Sequence, residues 1–156
     1  VEAKSFFCSE KRVAIKFQRA EVSQSVKVSG DAMFLESAIA AVIENAIEAS
    51  SPGGAVRVEL CPPSEALIKF GRQVTAVRII DSGPGISPDQ LSQVSEPFYT
   101  TRPGHEGMGL SLARRFVDMH GGFLHLASVV GEGTEVFMVL PLAESQARLN
   151  RDGALQ

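Results

Sequence analysis

A carboxylate followed by two glycines is the first feature of chemical interest in this sequence. The segment Asp81-Ser82-Gly83-Pro84-Gly85-Ile86 follows an alternating, β-branched run at residues 74–80, which predicts a strand that ends at the acid. A carboxylate at the edge of a core needs a hydrogen-bond donor to offset its desolvation. Glycine has no Cβ, so the chain after the acid can turn sharply and a ligand can approach closely. On its own, the segment fits an ordinary exit from a strand equally well.

A second feature is a glycine-rich segment that leads into a helix. Gly104, Gly107 and Gly109 precede Leu110, where a helical apolar period begins. The first N–H groups of a helix have no intrahelical acceptor and its dipole favours negative charge, so this arrangement suits an anion such as phosphate. The sequence has neither the GxxxxGK[ST] pattern of a P-loop nor GxGxxG after a strand, which argues against a P-loop, a Rossmann site and a protein-kinase glycine loop.

One long helix is predicted upstream of the acid. Asp31 is the expected N-cap, and the helix should end near Ser50, because Pro52-Gly53-Gly54 cannot continue it. Asn45 lies at the border of the apolar stripe among small side chains, where a ligand would have room. Taken alone, an ordinary boundary asparagine that reaches solvent or a loop carbonyl fits this position better. The stripe consists of Leu35, Ala38, Ile39, Val42, Ile43 and Ala46, and the opposite, solvated side carries Glu36, Glu44 and Glu48.

The remaining elements are mostly strands. Alternation predicts strands at 13–17, 55–60, 74–80, 123–127 and 136–140, with a Gly-rich turn at 131–134 between the last two. Pro62-Pro63 should end the second strand, and residues 64–72 are ambiguous within a hairpin that has a long connection. Ser87 and Pro88 predict a short helix, residues 95–109 an irregular lid, and residues 110–119 a second strong helix closed by Gly121-Gly122.

Composition limits the class of protein. The chain has 156 residues, a size that suits one domain, and no apolar run approaches the roughly 18 residues of a membrane-spanning helix. The net charge is −3 without a block of basic residues, which argues against a nucleic-acid surface. Cys8 and Cys61 are far apart and outside any metal-binding spacing, so no disulfide framework or zinc site is indicated.

The chemically informative segments occur in a specific order. They are Asn45-Ala46, Asp81-x-Gly-x-Gly, Glu96-Pro97-Phe98-Tyr99-Thr100-Thr101, Gly107-Met108-Gly109-Leu110 and Gly131-x-Gly-Thr134. This set resembles the N, G1, F, G2 and G3 boxes of the catalytic, ATP-binding domain of two-component sensor histidine kinases, within the wider gyrase–Hsp90–MutL (GHKL, Bergerat) ATPase fold group. The likeness covers roughly residues 13–142. The phrase at 96–101 and Met119-His120-Gly121-Gly122 look more like histidine kinases than like their relatives.

The resemblance implies how the base of ATP would be held. Asp81 would accept a hydrogen bond from the exocyclic amine of adenine, and Thr134 would assist through its hydroxyl group or a water molecule. Gly83 and Gly85 would let the base slide in against the turn. These implied roles agree with the need of an acid at the core edge for a donor.

The resemblance also implies how the phosphates would be held. Asn45 would bind Mg²⁺ through its amide oxygen, and backbone N–H groups of residues 107–110 would face the phosphates. Arg102 in the lid would neutralise charge on the γ-phosphate, although an ordinary solvated loop arginine fits equally well. The full set expected to contact ATP or Mg²⁺ is Asn45, Ala49, Asp81, Gly83, Gly85, Ile86, Thr101, Arg102, Gly107, Met108, Gly109, Leu110 and Thr134.

The sequence departs from the family pattern near the first helix and in the lid. Ala41 stands where the family has a second asparagine or, in the ATPases, a glutamate base. Its absence fits a kinase whose acceptor is a histidine rather than water, and it also fits weak nucleotide binding. Glu44 is the remaining candidate base, although positions i and i+1 do not share a helix face with Asn45. His105 and Glu106 occupy lid positions where the family often has small residues.

No phosphoacceptor helix is found in the sequence. His120 and His125 are expected to be structural, His120 because it ends a helix where a cation complements the dipole. The expected fold is a two-layer α/β sandwich, a mixed sheet covered on one face by about three helices. Residues 1–12 are expected to be the remnant of an upstream linker or dimerisation helix, and residues 143–156 a flexible tail.

The expected function is binding of ATP·Mg²⁺ and donation of the γ-phosphoryl group to a histidine on a separate dimerisation domain. The implied partners are ATP or ADP, that phosphotransfer domain and a response regulator, without nucleic acid. The implied setting is a cytoplasmic, monomeric domain of a homodimeric parent that can be anchored in the inner membrane. The alternatives are an ATPase or protein-serine kinase of the same fold, or a degenerate docking module that binds no nucleotide.

Overall fold

The described part of the chain forms one mixed sheet with helices on one face. The computed structural model describes residues 5–8, 12–19, 26–69, 72–94, 96–99 and 107–143. The elements are β1 (Ser5–Cys8), β2 (Val13–Arg19), α1 (Ala32–Ala49), β3 (Ala55–Lys69), β4 (Arg72–Ile80), α2 (Pro88–Leu91), α3 (Gly109–Met119), β5 (Phe123–Val129) and β6 (Gly133–Pro141). The sheet order is β1-β2-β3-β4-β6-β5, and only the β2–β3 pair is parallel among these neighbours. The mixed sheet and three helices confirm the predicted two-layer sandwich.

The apolar stripe of α1 builds the layer between the helices and the sheet. The side chain of Asp31 caps the helix as predicted, since its Oδ1 accepts the N–H groups of Met33 at 2.9 Å and Phe34 at 3.4 Å. One core cluster contains the buried residues of α1, of α3 and of the sheet face beneath them. These are Leu35, Ala38, Val42 and Ala46 on α1, Leu110, Ala113 and Val117 on α3, and Val13, Val56, Val58, Ile79, Val136, Met138 and Leu140 on the sheet.

The opposite face of the sheet carries an ion-pair network centred on Arg78. Its Nη2 donates to Glu135 Oε1 at 2.7 Å and its Nη1 to Glu59 Oε2 at 3.1 Å, so the network joins β3, β4 and β6. The guanidinium also lies 5.4 Å from the ring centroid of Phe137. The hydrogen bond to Glu135 is the main cause that raises the pKa of Arg78.

The strand after α1 is longer than predicted, so the expectation that Pro62-Pro63 ends it is wrong. β3 runs from Ala55 to Lys69, and its register against β4 shifts between Cys61 and Ser64. Proline is tolerated in a strand at such an irregularity, because no ladder hydrogen bond is required from it there. The connection to β4 is also short rather than long, since Lys69 pairs with Arg72.

The segment expected to be the remnant of an upstream linker or dimerisation helix contains a strand. Ser5–Cys8 form an edge strand that pairs antiparallel with Val13–Lys16 of β2. Further along, Val28 forms an isolated antiparallel bridge with Leu142. No helix in the described ranges is long and apolar enough to cross a membrane.

His120 joins the end of α3 to the start of α1. Its Nε2 accepts the backbone N–H of Asp31 at 2.9 Å, and its Nδ1 lies 2.6 Å from the carbonyl oxygen of Phe116. Because a nitrogen that accepts carries no proton, Nδ1 must be the donor to Phe116. The predicted structural role is therefore present, but as a neutral linker between two helices rather than as a cation at a helix end.

Candidate functional site

A cavity of about 450 Å³ lies between α1, the turn after β4, the start of α3 and the ends of β5 and β6. Most of the residues predicted to contact a nucleotide line it together, although they come from distant parts of the sequence. These are Asn45, Ala49, Asp81, Gly85, Ile86, Gly107, Met108, Gly109, Leu110 and Thr134. The volume falls within the range of small-molecule sites.

Asp81 is fixed at the inner wall of this cavity. Asp81 is only 6% exposed. Its Oδ1 accepts the N–H of Gly83 at 2.8 Å and the N–H of Thr134 at 3.3 Å. Its own N–H donates to the carbonyl oxygen of Thr134 at 2.9 Å. The predicted requirement for donors is met by backbone groups of the turn and of β6, which hold the carboxylate in one orientation.

The two glycines after Asp81 are required by contacts within the protein. A Cβ on Gly83 would lie 2.7 Å from the carbonyl oxygen of Ala49, and Gly83 is not among the residues that line the cavity. Gly85 has a φ of +71°, and a Cβ on it would collide with the carbonyl oxygen of Val129. The close approach that these glycines permit is therefore an approach of the turn to α1 and to the β5–β6 hairpin.

The α1 wall of the cavity is small and acidic. Asn45 is half-buried and lines the cavity, with Ala41 one turn before it and Ala49 one turn after it. Glu44 and Glu48 are exposed residues that also reach the cavity, although positions 44 and 45 were expected on different faces. Asn and Glu oxygens are of the kind that Mg²⁺ prefers, although the described residues contain no group of three or more His, Cys, Asp or Glu that could hold a metal ion.

The start of α3 forms another part of the wall, next to Ala41 of α1. Met108 occupies the N-cap position and makes no side-chain hydrogen bond to the first turn, unlike Asp31 on α1. Among the described residues, a Cβ on Gly109 would meet only the carbonyl oxygen of Ala41, at 3.9 Å, so these residues leave space beside it. The first turn of α3 therefore presents backbone N–H groups toward a cavity that has room for an anion.

The two ends of the predicted lid are tied together at the mouth of the cavity. The N–H of Phe98 donates to the carbonyl oxygen of Gly107 at 3.1 Å, and both residues have positive φ, +66° and +65°. Tyr99 lines the cavity beside them. Thr101 and Arg102, together with His105 and Glu106, lie outside the described residues. None of the described residues that line the cavity is a lysine or an arginine.

Sequence reasoning missed a hydroxyl pair behind the cavity wall. Ser128 Oγ lies 2.9 Å from Thr134 Oγ1. It accepts the N–H of Ile86 at 2.8 Å and donates to the carbonyl oxygen of Gly133 at 2.8 Å. Ser128 and Thr134 are direct partners across the β5–β6 ladder. The signal in the sequence is the alternation Leu124, Leu126, Ser128, which puts a polar residue on the face that otherwise packs inward. Other unforeseen lining residues are Glu48, Pro84, Gln90, Val94, Tyr99, Leu126 and Val136.

The sequence profile of the family described as "Histidine kinase-, DNA gyrase B-, and HSP90-like ATPase" matches residues 30–144. The chain belongs to this family. The matched range contains every described residue of the cavity, from Ala41 to Val136. The resemblance drawn from the five ordered segments is thereby confirmed.

Two relatives of the chain are named as kinases. Sporulation kinase D of Bacillus subtilis (strain 168) is 33% identical over 104 residues, which are 67% of this chain and 19% of that protein. Sensor histidine kinase ZraS of Salmonella typhimurium is 31% identical over 102 residues, 65% of this chain and 20% of that protein. The chain therefore spans about a fifth of the length of these curated relatives.

Solved structures show the same fold. The mycobacterial sensor histidine kinase MprB is 32% identical with a TM-score of 0.63, and the match covers 82% of both chains. Full-length ShkA, solved in complex with AMPPNP, has a TM-score of 0.71 at 24% identity and covers 86% of this chain and 26% of that one. The second similarity concerns the fold alone.

Proposed function

We propose that this chain is the ATP-binding catalytic domain of a sensor histidine kinase, with its domain limits near residues 13 and 142. The observation that carries the proposal is the pairing of a buried, oriented carboxylate at one end of the cavity with an uncapped helix start at the other. A ligand that fits both ends has a hydrogen-bond donor at one end and negative charge at the other. An adenine nucleotide has this polarity.

At the base end, Asp81 would accept from the exocyclic amine of adenine. Because Gly83 and Thr134 already hold Oδ1 through their N–H groups, the carboxylate loses no orientational freedom when the base binds. The half-buried side chains of Ile86 and Leu126 supply apolar surface for the ring. Such preorganisation lowers the cost of binding.

At the phosphate end, the N–H groups at the start of α3 would face the phosphate oxygens. Glu44 and Glu48 reach the same cavity, so a triphosphate would meet repulsion unless a cation lies between. Asn45 would hold Mg²⁺, and Arg102 in the lid would supply a further positive charge at the γ-phosphate. Mg²⁺ bound there would neutralise the phosphate charge that develops during phosphoryl transfer.

The absence of an acid at position 41 supports a kinase over an ATPase. Ala41 lines the cavity and offers no group to activate water, and Glu44 is an exposed residue next to Asn45 in the sequence. The γ-phosphoryl group would pass to a nitrogen of a histidine on a separate dimerisation domain, leaving ADP, and then to a response regulator. We expect this fragment to bind ATP or ADP without labelling itself, and strong ³²P incorporation by the fragment alone would contradict that.

Calorimetric titration tests the proposal. ADP and a non-hydrolysable ATP analogue are titrated into the wild type, Asp81→Asn and Asp89→Asn, each with and without Mg²⁺. Asp89 is the matched control, because it is an exposed acid in the first turn of α2 and does not line the cavity. In Asp81→Asn the amide can still accept from Gly83 and Thr134, but its NH₂ opposes the amine of adenine.

We expect micromolar binding by the wild type and by Asp89→Asn, with triphosphate binding that requires Mg²⁺. Asp81→Asn should reduce the affinity at least 100-fold while its far-ultraviolet circular dichroism stays unchanged. Equal affinities in all three proteins would refute the assignment of Asp81. A folded wild type that binds neither nucleotide would favour the degenerate docking module.

A further inference from the structure

Ser128 and Thr134, the hydroxyl pair behind the cavity wall, carry one hydroxyl proton each. The hydrogen bonds that these protons make decide whether Thr134 donates to a ligand or accepts from it. Ser128 has one O–H donor and two acceptor lone pairs. Its Oγ lies within 2.8–2.9 Å of three groups, the N–H of Ile86, the carbonyl oxygen of Gly133 and the hydroxyl of Thr134. The N–H can only donate and the carbonyl can only accept.

One arrangement makes all three hydrogen bonds. Ser128 gives its proton to Gly133, accepts the N–H of Ile86 with one lone pair, and accepts the proton of Thr134 with the other. If Ser128 instead gave its proton to Thr134, the carbonyl oxygen of Gly133 would lose this donor. The first arrangement is favoured because it forms one more hydrogen bond in a half-buried site.

This arrangement makes the Thr134 hydroxyl a hydrogen-bond acceptor toward the cavity. Its only hydroxyl proton is directed to Ser128, so its oxygen can offer only lone pairs to a ligand. Thr134 is 7% exposed and lines the cavity next to Asp81, whose carboxylate also only accepts. The inner end of the cavity therefore presents two acceptors side by side, and its local preference is for a ligand group with N–H donors.

We propose that Ser128 is a positioning residue that orients the Thr134 hydroxyl as an acceptor and thereby makes the site prefer 6-amino purines over 6-oxo purines. This inference rests on the proposed nucleotide function. Ser128 itself is not among the lining residues, so it acts through Thr134 and does not touch the base. A 6-oxo group in the same place would face two acceptors, whereas an amino group would meet them with its protons.

The test measures the affinities of ADP and inosine diphosphate, which differ at the 6-position and in the proton on the neighbouring ring nitrogen. In Ser128→Ala, Thr134 can turn its proton toward the ligand and donate to a 6-oxo group. We expect the preference for ADP over inosine diphosphate to fall about three- to tenfold, the range that one neutral hydrogen bond provides. Ser128→Thr keeps the hydroxyl and should keep the preference.

A second pair of variants separates orientation from a structural role. Ser128→Ala also removes the acceptor of the Ile86 N–H, which should weaken both nucleotides by the same factor and leave their ratio unchanged. In a Thr134→Val background there is no hydroxyl to orient, so adding Ser128→Ala should not change the ratio further. If Ser128→Ala does not fold, Ser128→Cys carries the same test, because a thiol is a poor acceptor of nearly the same size.

The outcomes are distinct. A lowered ratio in Ser128→Ala that disappears in the Thr134→Val background supports the proposal. Equal losses for both nucleotides in Ser128→Ala would overturn it and leave the nucleotide-binding function intact. A wild type that binds neither diphosphate would refute the proposed function and this inference together.

Discussion

Gly109 and Gly85 both line the cavity, and replacing each by alanine separates a glycine kept for the ligand from one kept for the fold. At Gly109 the added Cβ would meet, among the residues that the structure describes, only the carbonyl oxygen of Ala41, at 3.9 Å, which is ordinary contact. At Gly85 the residue has a φ of +71°, and the Cβ would collide with the carbonyl oxygen of Val129. The first substitution disturbs only the cavity, and the second disturbs the protein itself.

The expected magnitudes are correspondingly different. Gly109→Ala should leave the free energy of unfolding unchanged or raise it by up to about 1 kcal/mol, since alanine is the better helix former. If a phosphate lies against this turn, loss of one charge-assisted hydrogen bond costs about 1.5–3 kcal/mol, or roughly 10- to 150-fold in affinity. Gly85→Ala should lower the free energy of unfolding by about 2–5 kcal/mol through a left-handed conformation and a displaced hairpin.

Urea unfolding followed by circular dichroism gives the stabilities, and calorimetry with ADP gives the affinities. Adenosine has no phosphate and therefore reports on the base end alone; its binding is followed by changes in chemical shift. Its affinity should agree between Gly109→Ala and the wild type within about twofold, which corresponds to ~0.4 kcal/mol. ADP binding that is as tight in Gly109→Ala as in the wild type would refute the placement of phosphates at the start of α3. A destabilised Gly109→Ala would refute the reading of its surroundings as open.

Three further predictions concern residues away from the cavity. Arg78→Met should lower the free energy of unfolding by about 1–2 kcal/mol in urea titrations. The loss should be smaller in high salt, because the ion pairs that are removed are half-exposed. A change below about 0.3 kcal/mol would show that the network adds no stability. Burial, more than the nearby Glu59, raises the pKa of the Cys61 thiol, so in a Cys8→Ser background its alkylation should lag behind that of the urea-unfolded chain at pH 8–9. Because the folded chain keeps the thiol proton to a higher pH than the unfolded chain, the free energy of unfolding should fall as the pH rises above 9.0, the ordinary pKa of the thiol. Equal alkylation rates in the folded and the unfolded chain would contradict both predictions for Cys61. His120→Ala should lower the free energy of unfolding by about 1–2 kcal/mol, because it removes the acceptor of the Asp31 N–H. The control His125→Ala, at an exposed residue, should change it by less than about 0.5 kcal/mol. Nitrogen NMR of the His120 ring should show the proton on Nδ1, and a proton on Nε2 would rule out the link between the helices.

Local patterns in the sequence are sufficient for the main elements and for most of the cavity. The period of α1 and its cap at Asp31 depend on residues within one or two turns, which the sequence displays directly. Asp81 was placed at the end of a strand by alternation alone, and the order of the five glycine- and polar-rich segments indicated the family. These features are local or are signatures of the whole fold, and both are visible without coordinates.

Tertiary structure alone decided the features that depend on which distant segments meet. The passage of β3 through Pro62-Pro63 follows from a register shift against β4, and the neutral role of His120 follows from its contact with Asp31, 89 positions away. The polarity of Thr134 follows from Ser128 on the neighbouring strand. Hydrogen-bond partners and steric clearance are properties of pairs of groups in space. A sequence pattern specifies which face a residue occupies, but packing decides which atom lies opposite it.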